Sequence, residues 1–264
     1  MAVFWDRLTV AQSAPPGWVV AVSAVVALLI VVSPRLWRLT RIVITIAHES
    51  GHAAASLLSG RKLEGIRLHT DTSGETVSRG KRSGPGIVLT AFAGYVTPPL
   101  LGAAAAALLG TRRVTLLLAL LLLLLAAILV LVRNWYGALA VLLIGGSLVA
   151  VIALAGPATR AAFAYLVAWF LLFGGVRPVV ELARSRKQAV RLPPGRRLAE
   201  GRLAGRGPGT GTSDADQLGW LTGIPAGVWV TLFALVAVGA VALGARLLVP
   251  WPAHLPSLHL PAGS

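Results

Sequence analysis

The sequence contains no cysteine, which excludes disulfides, thiolate metal sites and cysteine nucleophiles together. Charge is also scarce. Only 12% of the 264 residues are charged, and nine of those are acidic. A soluble domain carries about twice that charged fraction. What is present instead is apolar: 56% of the residues are hydrophobic and the mean hydropathy is +0.79. These residues come in long unbroken blocks rather than at amphipathic spacing, and a bilayer crossing needs about 20 apolar residues. The chain is therefore expected to be an all-α polytopic membrane protein.

About seven transmembrane helices are expected, at roughly 18–32, 42–59, 86–109, 114–132, 135–156, 161–178 and 219–249, in a single domain spanning 1–264. The first block is read as a span because Pro34 and Arg35 follow it, not a small-residue cleavage site. With seven spans, 17 of the 24 basic residues fall on one side. Basic loops stay in the cytoplasm, so the expected placement is a multi-pass protein of the cell membrane, with the amino terminus inside and the carboxyl terminus outside. Trp18, Trp37, Trp135, Trp220 and Trp251 fall near span ends, as an interfacial aromatic belt requires.

Three segments break the apolar pattern. After the second helix, Ile66, Leu68 and Thr70 alternate with Arg67, His69 and Asp71 before a turn at Ser73-Gly74. That alternation predicts a small β-hairpin at about 63–80. Residues 183–213 are rich in Arg, Gly and Pro and are expected to be a flexible basic cytoplasmic loop. The net charge of +15 is thus concentrated in loops, where it suits anionic lipid headgroups; no nucleic acid partner is expected. Finally, residues 218–249 as one helix would extend ~48 Å against a ~30 Å hydrocarbon core, and Gly223 and Pro225 could break them.

The chemistry lies in His48-Glu49-Ser50-Gly51-His52. Helix positions four apart share a face, so both imidazoles can address one metal ion. Two neutral nitrogens at this spacing suit Zn2+. Glu49 sits at the edge of the same face, where it can take a proton from an activated water and pass it to a leaving amine. It is the one acidic residue deep in an expected span, and an ionisable group at that depth costs at least ~2.5 kcal/mol to insert. The competing structural reading is a polar cluster that holds helices together. Small residues Gly51, Ala53, Ala54, Ala55 and Ser56 surround the motif and permit close approach of a neighbouring helix or a substrate backbone.

Catalytic zinc usually has three protein ligands, so one more donor is needed. Asp214 and Asp216 precede the last apolar stretch and could dip into the membrane if that stretch is broken. Ser213-Asp214-Ala215-Asp216 also fits the [ST]-x-x-[DE] capping box, which would make these residues a helix start. Glu181 and Asn134 are weaker candidates, and His69 and Asp71 weaker still. His254 and His259 are assigned to the opposite side.

Taken in order, HESGH with Ala53-Ala54, a hairpin with Gly74, Ala93-Gly94-Tyr95 with Pro98, Arg133-Asn134 with Gly137, and Ser213-Asp214-Ala215 leading to Gly223-Ile224-Pro225 resemble the site-2 protease family of intramembrane zinc metallopeptidases. The closest likeness is to its short bacterial branch without a PDZ domain. The resemblance implies hydrolysis of peptide bonds in or near transmembrane segments of membrane-embedded protein substrates. It implies His48 and His52 as metal ligands, Glu49 as the catalytic base and Asp214 as the third ligand. It also implies that the hairpin holds substrate as an added strand. The Asp-Gly pair of better-known members is replaced here by Asp214-Ala215. Two other classes compete: an ion or solute transporter, which would show paired repeats and interrupted helices, and a catalytically inactive membrane scaffold, which would have no need of Glu49.

Overall fold

The computed structural model describes residues 10–191 and 213–249. Within them the chain forms α1 (Gly17–Val32), α2 (Pro34–Leu58), β1 (Lys62–Leu68), β2 (Gly74–Arg79), α3 (Pro85–Gly110), α4 (Val114–Leu131), α5 (Trp135–Leu154), α6 (Pro157–Arg191), α7 (Asp214–Thr222) and α8 (Ala226–Leu248). Residues 192–212 of the expected basic loop, together with Trp251, His254 and His259, lie outside the described residues.

Five helices, α3, α4, α5, α6 and α8, are each long and apolar enough to cross a membrane. The number rises to six if α1 and α2, bent by 101° at Ser33, are one broken span. The expected seven counted α1 and α2 as separate crossings. Helix α1 is apolar but only 16 residues long, and the apolar signal of α2 is diluted by Arg35, Arg38, Arg41, His48, Glu49 and His52. The corner between them is built locally. Pro34 cannot donate a backbone hydrogen bond and starts α2, while the Ser33 hydroxyl accepts from the Leu36 amide at 3.4 Å. Arg177 of α6 donates to the Val31 carbonyl that α1 leaves free, lies 4.8 Å above the Trp37 ring and pairs with Glu181 at 2.8 Å. Trp37 is therefore buried beneath a guanidinium, not placed in an interfacial belt.

Two other boundaries differ from expectation. Helix α6 continues to Arg191, so residues 183–191 are helical rather than the start of a flexible loop. The reason is compositional: Ala183 to Arg191 are nearly all good helix formers, and the first helix breaker is Pro193. The last apolar stretch is divided. Gly223 caps α7 in the left-handed conformation at φ 72°, and Pro225 precedes α8. Helix α3 is the hub, packing on α2, α6 and α8, with Pro98 and Pro99 fully buried inside it. Each proline removes a helical N–H, which leaves the carbonyls of Gly94 and Tyr95 without their usual partners.

The two strands pair antiparallel, Arg67 opposite Glu75 and Leu68 opposite Gly74, with a bulge between Leu63 and Gly65. The α4–α5 link covers the outer edge of β1. Val132 bridges Ile66 in parallel, and the Arg133 amide donates to the Ile66 carbonyl at 2.9 Å. Asn134 donates its side-chain amide to the Leu68 carbonyl at 2.6 Å and accepts from the Leu68 amide at 3.1 Å. Gly65 permits this approach: its φ is 150°, and a Cβ there would stand 2.8 Å from the Leu131 carbonyl oxygen. Asn134 is thus a clamp on the sheet rather than a metal donor. Replacing it by Ala strands both backbone groups of fully buried Leu68, at ~1–3 kcal/mol for each unpaired group. The expected result is a lower unfolding midpoint in detergent; an unchanged midpoint would show that the clamp contributes nothing. Among the described residues, the outer edge of β2 has no backbone partner.

Candidate metal site and flanking chambers

Helix α2 presents His48, Glu49 and His52 within one turn, and α3 comes close enough to wall them in. A Cβ on Gly94 would stand 2.6 Å from His48 Nε2 and 2.5 Å from His52 Nε2, so only glycine leaves that space open. On the other side of His52, Nδ1 lies 2.6 Å from the Thr90 carbonyl oxygen. A carbonyl only accepts, so Nδ1 carries the proton, and the neutral form of the ring has its lone pair on Nε2. The ring of Tyr95 meets His48 edge-on, with centroids 4.9 Å apart.

Helix α7 delivers the third donor. Asp214 Oδ2 lies 3.1 Å from His48 Nε2 and 3.3 Å from His52 Nε2, and the two imidazole nitrogens are 3.0 Å apart. A tetrahedral zinc with 2.0–2.1 Å bonds sets its ligands ~3.3 Å apart. Asp214 Oδ2 is buried and satisfied by no hydrogen bond, a costly arrangement unless a cation completes it. These three groups could hold a metal ion, and their spacing and lone-pair chemistry fit zinc.

The capping question resolves by a division of labour between the two aspartates. The Ser213 hydroxyl accepts from the Asp216 amide while Asp216 accepts from the Ser213 amide, completing the box. Asp216 also pairs with Arg186 from the extended end of α6. Burial pushes the Asp216 carboxyl up, but Arg186 and Ser213 outweigh it and hold the group below the usual carboxylate range. With Asp216 occupied, Asp214 is left to face the histidines. The weaker candidates lie elsewhere: Glu181 pairs with Arg177, and His69 and Asp71 sit at the exposed hairpin turn. There the Ser73 hydroxyl and amide both donate to Asp71, lowering its pKa.

Glu49 is 4% exposed. The Thr76 hydroxyl of β2 donates to its Oε2 at 2.6 Å. A Cβ on Gly74 would strike the Glu49 side chain at 2.7 Å, so the start of β2 lies directly against the carboxyl group. Two chambers meet here, both lined by His48, Glu49 and Gly74. The larger, about 410 Å³, runs along β2 past Thr76 and Ser78 to Asp214 and Gln217. The smaller, about 190 Å³, extends past Thr72 and Tyr95 to Arg41 and Glu181. Neither Thr76 nor Thr90 was singled out from sequence, because an isolated threonine carries no periodic or motif signal. Arg41 had one: it lies seven residues before His48, two helical turns away on the same face.

A model of the Peptidase M50B-like family matches residues 21–244. No curated protein and no solved structure matches the chain significantly.

Proposed function

This chain belongs to the Peptidase M50B-like family, within the site-2 proteases, and from that premise we propose that it is a zinc-dependent intramembrane endopeptidase. Its substrates on this reading are membrane-anchored proteins, cut in or near their transmembrane segments. One observation carries the proposal: two imidazole nitrogens and a buried carboxylate oxygen converge within 3.3 Å beside a second, buried carboxyl group.

His48, His52 and Asp214 would hold the metal, which when bound would supply Lewis-acid chemistry at the site. Thr76 fixes Glu49 through Oε2, which leaves Oε1 to accept the proton of the attacking water and return it to the leaving amine. Thr90 holds the His52 tautomer, the task outer-shell partners perform at metal sites. The uncovered edge of β2 supplies backbone pairing for an extended substrate, a mode that reads main chain rather than side chain. The protein crosses the membrane several times; placement in the cell membrane with the amino terminus inside, and association of the basic segments with anionic lipid, belong to the same proposal.

Detergent-purified protein is expected to hold about one zinc per chain and to cleave a membrane-anchored reporter. Chelation should abolish cleavage, and added zinc should restore it. Cleavage that persists in metal-free protein would overturn the reading. The complete donor set and a Glu49 carboxyl seated beside it favour hydrolysis over the transporter and inactive-scaffold alternatives.

A further inference from the structure

We propose that the smaller chamber is an acidic-residue subsite, in which the Arg41 guanidinium receives a carboxylate of the bound substrate about three residues from the scissile bond. This rests on the peptidase reading above and adds to it a substrate preference. Arg41, Thr45, His48 and His52 follow one another on a single face of α2. Seven residues separate Arg41 from His48, or ~10 Å along the helix axis at 1.5 Å per residue. An extended peptide advances ~3.3 Å per residue, so that distance corresponds to ~3 substrate residues. The path is continuous, because both chambers share His48, Glu49 and Gly74. A chain lying along β2 from Ser78 toward Gly74 passes Glu49 and enters the space between Thr72 and Arg41. The Thr45 hydroxyl donates to the Thr72 carbonyl at 2.8 Å and fixes that wall.

Charge decides what the chamber accepts. Its other cationic neighbour, Arg177, is matched by Glu181 at 2.8 Å. Asp71 at the hairpin turn is hydrogen-bonded by Ser73 and feels the Arg41 charge from a distance, but the two make no ion pair. Among the described residues the half-buried Arg41 guanidinium has no hydrogen-bond or ion-pair partner. A planar guanidinium left open in a confined space is suited to bidentate capture of a carboxylate. At about 190 Å³, the chamber is smaller than the ~300–1,000 Å³ of drug-sized ligand sites. It has room for one acidic side chain or for a chain end with its terminal carboxylate.

The test uses full-length protein in detergent and synthetic decapeptides with an apolar centre. Each flanking position carries Asp, Glu, Asn or Gln, and cut sites are read by mass spectrometry. The expected result is a preference of about tenfold or more for acids over amides, two to four residues to one side of the cut. Arg41→Gln should level it, and Arg41→Glu should disfavour the acidic peptides relative to their amides; zinc content and unfolding midpoint verify that both variants fold. A second arm measures binding of labelled peptides to Glu49→Gln protein, with free or amidated carboxyl termini, which separates a side-chain carboxylate from a terminal one. Cleavage by wild type with no acid preference, or a preference that survives in Arg41→Gln, overturns the subsite while leaving the peptidase reading intact. No cleavage of either the peptides or the membrane-anchored reporter by zinc-loaded wild type, alongside Arg41-dependent binding of acidic peptides, supports the anion site and overturns the peptidase reading.

Discussion

Glu49→Gln is expected to lower hydrolysis by about 10²–10⁴-fold, the usual contribution of a positioned general base, while zinc content stays at the wild-type level. The substitution is nearly isosteric. A glutamine carbonyl can still accept the 2.6 Å bond from Thr76, so the side chain remains in place. What disappears is the capacity to take a proton. Glu49 is not one of the three converging donors, so the metal site stays complete. Folding should not suffer, because a charged group is removed from a position with 4% exposure and burying a neutral amide costs less than burying a carboxylate. Cleavage by the variant at the wild-type rate would remove Glu49 from the mechanism. Loss of zinc would instead place it among the ligands.

Asp214→Ala is expected to weaken zinc binding by at least about 100-fold, beyond the 10–100-fold typical of losing an outer-shell partner, with hydrolysis falling in step. Two imidazoles on one turn of α2 would remain, short of the three protein ligands that catalytic zinc sites use. Stability should move differently. The Ser213–Asp216 box and the Arg186 pair still anchor α7, and the change deletes a buried oxygen with no hydrogen bond. Metal-free Asp214→Ala is therefore expected to unfold no earlier than metal-free wild type. Asp216→Ala should show the opposite pattern, losing the side-chain half of the capping box and the Arg186 pair while keeping His48, His52 and Asp214. Metal analysis and thermal melts of the two variants check both halves. Full zinc occupancy in Asp214→Ala would sink the three-donor site.

The legible part of this protein was local. His48 and His52 share a face because an α-helix repeats every 3.6 residues, and nothing distant is needed to make them neighbours. Gly223 and Pro225 announced the break before α8 for the same reason, one adopting a left-handed conformation and the other unable to continue a helix. Where local rules misled, a distant partner was responsible. Trp37 resembles a belt residue until Arg177 stacks upon it. Asn134 looks like a donor between two apolar blocks until it pairs with both backbone groups of Leu68.

Sequence alone determined that the chain is helical and membrane-embedded, that an HExxH turn sits within it, and that a hairpin follows. Each depends on side-chain chemistry repeated over a few residues. Only the tertiary structure decided that Asp214 rather than Asp216 faces the histidines, and that Thr76 and Thr90 hold Glu49 and His52. Those outcomes depend on which surfaces of α2, α3, β2 and α7 meet. That in turn is set by close approach at Gly74 and Gly94 and by the capping of α7 through Ser213, Asp216 and Arg186, contacts between segments that no spacing along the chain encodes.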